Sequence, residues 1–127
     1  MVRDASLKFT RELSARLVIR SVSEAVIRVN EDSYTESIAL TPDELLGPWQ
    51  DTRIADLSEA DFSAILDTCP EIVLLGTGVD NVFPPRELTF AFARKGVGFE
   101  TMDTAAAART FNVLANEGRK VAAVLYL

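Results

Sequence analysis

The sequence predicts an α/β fold: an antiparallel β meander in the first half and a parallel βαβαβ unit in the second. Two observations carry this. Residues 71–127 alternate strand and helix signals around a glycine loop, Gly76-Thr77-Gly78, that directly follows an apolar run. Before them, short β-rich runs are separated by polar turn residues. At 127 residues, 48% hydrophobic and 25% charged, the chain reads as one domain over 1–127, with enough apolar material for a core. No repeat, low-complexity segment or linker interrupts it.

The elements follow in order. Residues 15–20 (ARLVIR) form a strand-like run, then 24–30 (EAVIRVN) and 34–40 (YTESIAL), with the turn-prone Asn30-Glu31-Asp32-Ser33 between the last two. Residues 42–56 hold two prolines, a glycine and the single tryptophan, and read as an irregular connector. Trp49 is expected to plug one end of the core, with its indole N–H on an acceptor. Ser58 caps a short helix with Asp61 as the acidic partner of a capping box. Phe62, Ile65, Leu66 and Cys69 share one face of that helix, so Cys69 is expected in the core, and Pro70 stops it.

Ile72 to Leu75 is an apolar strand ending in the glycine loop. A helix begins near Pro84-Pro85, where no N–H partner is missed, and buries Leu88, Ala91 and Phe92. Val97 to Met102 is the next strand. Asp103 caps the last helix, which turns Ala107, Phe111 and Leu114 inward and ends at Gly118. Val121 to Leu127 is the final strand.

Composition excludes several chemistries. The chain has no histidine, which removes Ser-His-Asp and Cys-His catalysis and histidine metal sites. Its one cysteine forms no intrachain disulfide and fits a reducing, cytoplasmic setting. The net charge of −6, with no Lys/Arg cluster, argues against nucleic acid as a partner. The first residues lack the apolar stretch of a secretory signal, and no apolar run is long enough to span a membrane, so a soluble protein is expected. The carboxylates Asp51, Asp56, Glu59 and Asp61 lack EF-hand spacing and are read as decoration of a connector and helix start, not as a metal site.

Ligand sites in parallel α/β sheets lie at the carboxyl ends of strands. That directs attention to Gly76, Thr77 and Gly78, whose N–H groups could form an anion nest or belong to a tight turn. The pattern is neither GxGxxG nor a P-loop, and Asp80 follows closely. Arg86, at a helix start, could meet a carboxylate or phosphate, or pair with Glu87. Asp103 and Thr104 follow the middle parallel strand, and Arg109 and Asn112 lie farther along the last helix. That helix reads either as an alanine-rich packing element, with Arg109 tethering the glycine loop or Asp80, or as part of a binding site.

The run LLGTG, then FPP, then GVGFETMDTAAAARTFNVLANEGRKVAAVLYL resembles a family of small, mostly unassigned proteins with bacterial and archaeal members. Its relatives include mitochondrial complex I assembly factor 3 and an adipogenesis-associated protein. The resemblance covers nearly the whole chain. It implies a three-layer fold: a mixed central sheet, helices on one side and a β-layer added from the first half. It implies no reaction and no cofactor.

Two functions compete. The first is a non-catalytic interaction or assembly-factor module, with a membrane-complex subunit as the kind of partner. The absence of any visible nucleophile–base pair supports it. The second is a binding protein or enzyme for a small anionic ligand, using Gly76, Thr77, Gly78, Asp80, Arg86, Asp103, Thr104, Arg109 and Asn112. An uncovered edge in the first β-layer would also invite a homodimer.

Overall fold

The two most apolar runs become the centre of a five-stranded sheet. In the computed structural model, which describes residues 16–50 and 52–127, β6 (Ile72–Gly76) and β8 (Val121–Leu125) lie side by side and parallel. Every residue of β8 is buried, as is β6 beyond Ile72. Strands covered on both faces need no polar alternation, which is why these two read as continuous apolar runs.

Parallel β7 (Gly98–Met102) flanks β6, and β4 (Ile38–Leu40) joins β8 antiparallel, so the sheet is mixed. An edge strand, β5 (Leu45–Pro48), completes the order β5-β4-β8-β6-β7. A second sheet holds β1 (Ile19–Val22), β2 (Ile27–Val29) and β3 (Asp32–Tyr34) as an antiparallel meander.

Three helical segments cover the large sheet. Glu59–Phe62 forms a 3-10 turn that runs into α1 (Ser63–Leu66), and the Ser58–Asp61 capping box is formed. Next come α2 (Arg86–Arg94), with Pro85 at its N-cap, and α3 (Thr104–Asn116), where the Asp103 carboxylate accepts from Ala106 N–H at 2.8 Å. Phe62, Ile65, Leu88 and Phe92 pack on one face of the sheet against Val73, Leu75, Ala122 and Val124. On the other face, Ala107 and Phe111 of α3 and Ile19, Ile27 and Val29 of the small sheet pack against Leu74, Ala123 and Leu125. The expected layers are therefore present, but α3 shares the small sheet's layer instead of joining the other helices. Alanines 107 and 108 let it lie that close.

Four local expectations are corrected. The run 34–40 is divided: Tyr34 ends β3 in the small sheet, and Ile38 begins β4 in the large one. The connector 42–56 contains β5, whose Gly47 and Pro48 are tolerated because it is an edge. The first strand begins at Ile19, late in the run 15–20, and extends to Val22; Ala15, like Asp51, lies outside the described residues. Cys69 is exposed at φ 55°, past the end of α1, because the helix stops at Leu66 and the chain must reverse before Pro70. Trp49 meets its expectation: its ring lies 5.2 Å from Phe62, and its indole N–H donates to the Tyr126 hydroxyl at 2.8 Å.

Candidate functional site

β6 delivers its last residue, Gly76, into the sheet centre, opposite Met102 on one side and Leu125 on the other. A Cβ there would lie 2.9 Å from the Thr104 Cα and 3.1 Å from the Ala107 Cβ. Glycine is needed at this position because the first turn of α3 crosses directly over it. Gly78 has a different reason: its φ is 99°, a conformation that L side chains rarely adopt, although the space around it is open.

Two threonines tie the loop down. The Thr77 hydroxyl donates to the Asp80 carbonyl at 2.6 Å, with the Met102 carbonyl at 3.3 Å, and accepts from Val82 N–H at 3.0 Å. The Thr104 hydroxyl accepts from Gly78 N–H and donates to the Tyr126 carbonyl, both at 2.7 Å. Thr104 N–H then donates to the Gly78 carbonyl at 2.8 Å, and Tyr126 N–H to the Gly76 carbonyl at 2.9 Å. One buried threonine thus joins the β6 loop, the start of α3 and the end of β8.

This network changes the chemistry open to the loop. An anion nest needs inward-pointing N–H groups without protein partners. Here Thr77 N–H donates to the Met102 carbonyl and Gly78 N–H to Thr104. Two of the three amides on which the nest reading rested are already used.

Gly78, Asp103 and Thr104 line a cavity of about 220 Å³, with Val22, Glu24 and Tyr126. Its charged lining residues are Glu24 and Asp103, which oppose an anion. Arg86 and Arg109 are exposed, do not line it, and make no ion pair among the described residues, so neither the Glu87 pairing nor the loop tether is formed. Asp80 is exposed on the loop beyond. Asn112 serves the small sheet: its side-chain amide accepts from Ile19 N–H at 3.0 Å and donates to the Ile19 carbonyl at 2.8 Å, replacing a strand neighbour for β1.

A wider cleft of about 700 Å³ lies at the opposite, amino end of β6 and β8, and no expected site residue lines it. Ion pairs Arg119–Glu71 (2.9 Å) and Arg16–Asp43 (3.7 Å) flank it. The Lys120 N–H and the Arg119 guanidinium bonded to Glu71 hold its carboxyl below the usual glutamate range. Among the described residues, no cluster of potential metal ligands occurs and no helix is long and apolar enough to cross a membrane.

Beyond the threonine knot the loop turns apolar side chains outward. Val79 is 70% exposed, Val82 45% and Phe83 73%, and Phe90 on α2 is 53% exposed. The sequence carried a signal for Phe90, which falls off the helical face defined by Leu88, Ala91 and Phe92.

These features describe a small α/β protein whose glycine loop is fastened as a scaffold and presents an apolar tip. Comparison with known proteins agrees on the fold and supplies the family. Residues 19–126 match the family described as "Protein of unknown function (DUF498/DUF598)", and the chain belongs to it. A curated relative is the "13 kDa major membrane protein" of Francisella tularensis, 31% identical over 76% of this chain and 80% of that protein. Another is the human "NADH dehydrogenase [ubiquinone] 1 alpha subcomplex assembly factor 3", 30% identical over 91% of this chain. The chain spans 63% of the length of that human protein. Among solved structures, a Xanthomonas campestris protein determined by NMR is 39% identical with a TM-score of 0.79, over 87% of this chain and 83% of that one.

Proposed function

We propose that this protein is a non-catalytic interaction module that works in the cytoplasm and helps assemble a larger complex, with a subunit of a membrane complex as its partner. The observation that carries this reading is the set of exposed apolar side chains Val79, Val82 and Phe83 on the loop and Phe90 on α2. Phe62, Phe92 and Phe111 are buried, so the fold has a place for aromatic rings and leaves these two in water. Large exposed apolar groups held by a rigid base are typical of a surface that another protein covers. The name of the human relative, an assembly factor, supports the same direction. The threonine knot fits as well, because it fixes the loop base without opening it to a ligand.

Affinity capture at native expression tests the reading, using the wild type and a Phe83→Ser/Phe90→Ser double variant. Both side chains are exposed, so the variant is expected to melt cooperatively near the wild-type temperature. A protein held by the wild type and lost by the variant supports the proposal. Identical recovery from both refutes it.

A further inference from the structure

The large sheet has two edges, and they differ. β5 is blunted: it contains Gly47 and Pro48, and its pairing with β4 shifts register between Ala39 and Leu40. In the small sheet, β1 also breaks register between Ile19 and Ser21. β7 pairs with β6 without interruption over five residues, from Ile72 opposite Gly98 to Gly76 opposite Met102. It carries no proline, lysine or bulge, devices that stop an edge from taking another strand, and its one charged residue is Glu100.

The direction of its backbone follows from the two ends. Gly98 N–H donates to the Glu71 carbonyl, and the Met102 carbonyl accepts from Thr77 N–H. Alternate residues of a strand face the same neighbour, so Gly98, Glu100 and Met102 face β6. Phe99 and Thr101 therefore turn N–H and C=O away from the sheet, where no described strand pairs with them.

The side chains define the two sides of this edge. Phe99 stacks on Phe92 of α2 with ring centroids 4.4 Å apart. Met102 Sδ lies 3.5 Å from the Thr110 hydroxyl of α3. Glu100 shares the Met102 side, is exposed, and makes no ion pair among the described residues.

We infer that the outer edge of β7 is a strand-addition site for an extended segment of a partner protein, with a lysine or arginine opposite Glu100. This rests on the interaction reading and gives it a mode of binding. The main-chain groups of Phe99 and Thr101 supply affinity, and Glu100 supplies selectivity. A second copy of this chain fits poorly. Full antiparallel overlap of β7 with itself sets Glu100 against Glu100 in a non-hydrogen-bonded pair, where side chains come closest and like charges repel. Shorter registers give up strand length.

The test uses the full chain and two synthetic heptapeptides, TVTKVTV and TVTEVTV, capped at both ends. In the free protein, the Phe99 and Thr101 amides are expected to exchange rapidly with solvent. The lysine peptide should shift and protect those two amides, and bind about fivefold more tightly than the glutamate peptide, as expected for a single cross-strand charge pair. Glu100→Lys should reverse the preference. Thr101→Pro removes one outward donor without touching the ladder to β6, and should weaken either peptide at least about tenfold, the loss expected of a deleted hydrogen bond. Protected amides in the free protein, no binding of the lysine peptide at millimolar concentration, or equal binding by Thr101→Pro would each overturn the proposal. A β7-mediated dimer in light scattering would do the same. If a captured partner is lost from Phe83→Ser/Phe90→Ser but kept by Thr101→Pro, strand addition fails and the interaction reading stands. If neither variant loses a partner, both fail.

Discussion

Thr104→Val keeps nearly the same side-chain volume and deletes one hydroxyl. In this fold that hydroxyl serves two backbone groups, Gly78 N–H and the Tyr126 carbonyl, each at 2.7 Å. Thr104 itself is 1% exposed, so no water stands ready to replace it. A buried backbone group left without a partner costs about 1–3 kcal/mol. Gly78 and Tyr126 are only partly buried, which places each near the lower end, and the pair together at about 2–3 kcal/mol. Thr104→Ser deletes a methyl and keeps both bonds, a loss of about 1 kcal/mol. The expected order is wild type, then serine, then valine, the reverse of what simple packing at a buried site would give. Urea unfolding followed through Trp49, the chain's single tryptophan, reports the order from the midpoints if the slopes agree. A valine variant within about 0.5 kcal/mol of wild type, the range of a neutral surface change, would refute the knot as a stabilising feature. So would a serine variant weaker than valine.

Other outcomes follow from neighbouring geometry. Gly76→Ala must push the Thr104 backbone away from a contact of 2.9 Å and should cost about 2–3 kcal/mol, read as a lower urea midpoint. Asn112→Ala removes both bonds to Ile19 and should cost about 1–3 kcal/mol, with faster hydrogen exchange in β1 than in β8. Equal protection loss in the two strands would contradict the tie. Glu71 has a folded pKa below its unfolded value, so its contribution is present above the unfolded pKa and disappears as pH falls through the folded one. The stability gap between wild type and Glu71→Gln should therefore be full at pH 7 and close below the ordinary glutamate range. A gap that is constant from pH 7 to about 3 would refute the linkage.

The sequence showed the parallel half clearly because β6 and β8 are buried on both faces and α2 and α3 carry their own start signals. The passage from β3 to β4 was hidden because Thr35, Glu36 and Ser37 carry no glycine or proline to mark a change of sheet. β5 was masked by Gly47 and Pro48, which argue against a strand until its edge position is known. At the glycine loop, position was legible and role was not. The partner of Gly78 N–H is Thr104, 26 residues away, and Asn112 serves Ile19 across 93 residues. No local pattern encodes such distances. The open edge of β7 is likewise a property of strand order, which appears only when the chain is folded.

The strand order also has a kinetic side. Among the described strands, β8 alone links the β4–β5 hairpin to the β6–β7 pair, with Ala39 opposite Val124 and Ala122 opposite Val73. Without it, the sheet is divided into two two-stranded pieces, and a bare two-stranded piece is marginal in water. The rate-limiting step of sheet formation is therefore expected to be docking of β8 between strands far earlier in the chain. Closing such long loops before any contact rewards them makes for slow folding. Mutations in the middle of β8, such as Ala123→Gly, should then slow refolding more than they speed unfolding, whereas changes in the outlying β1–β3 meander should do the reverse.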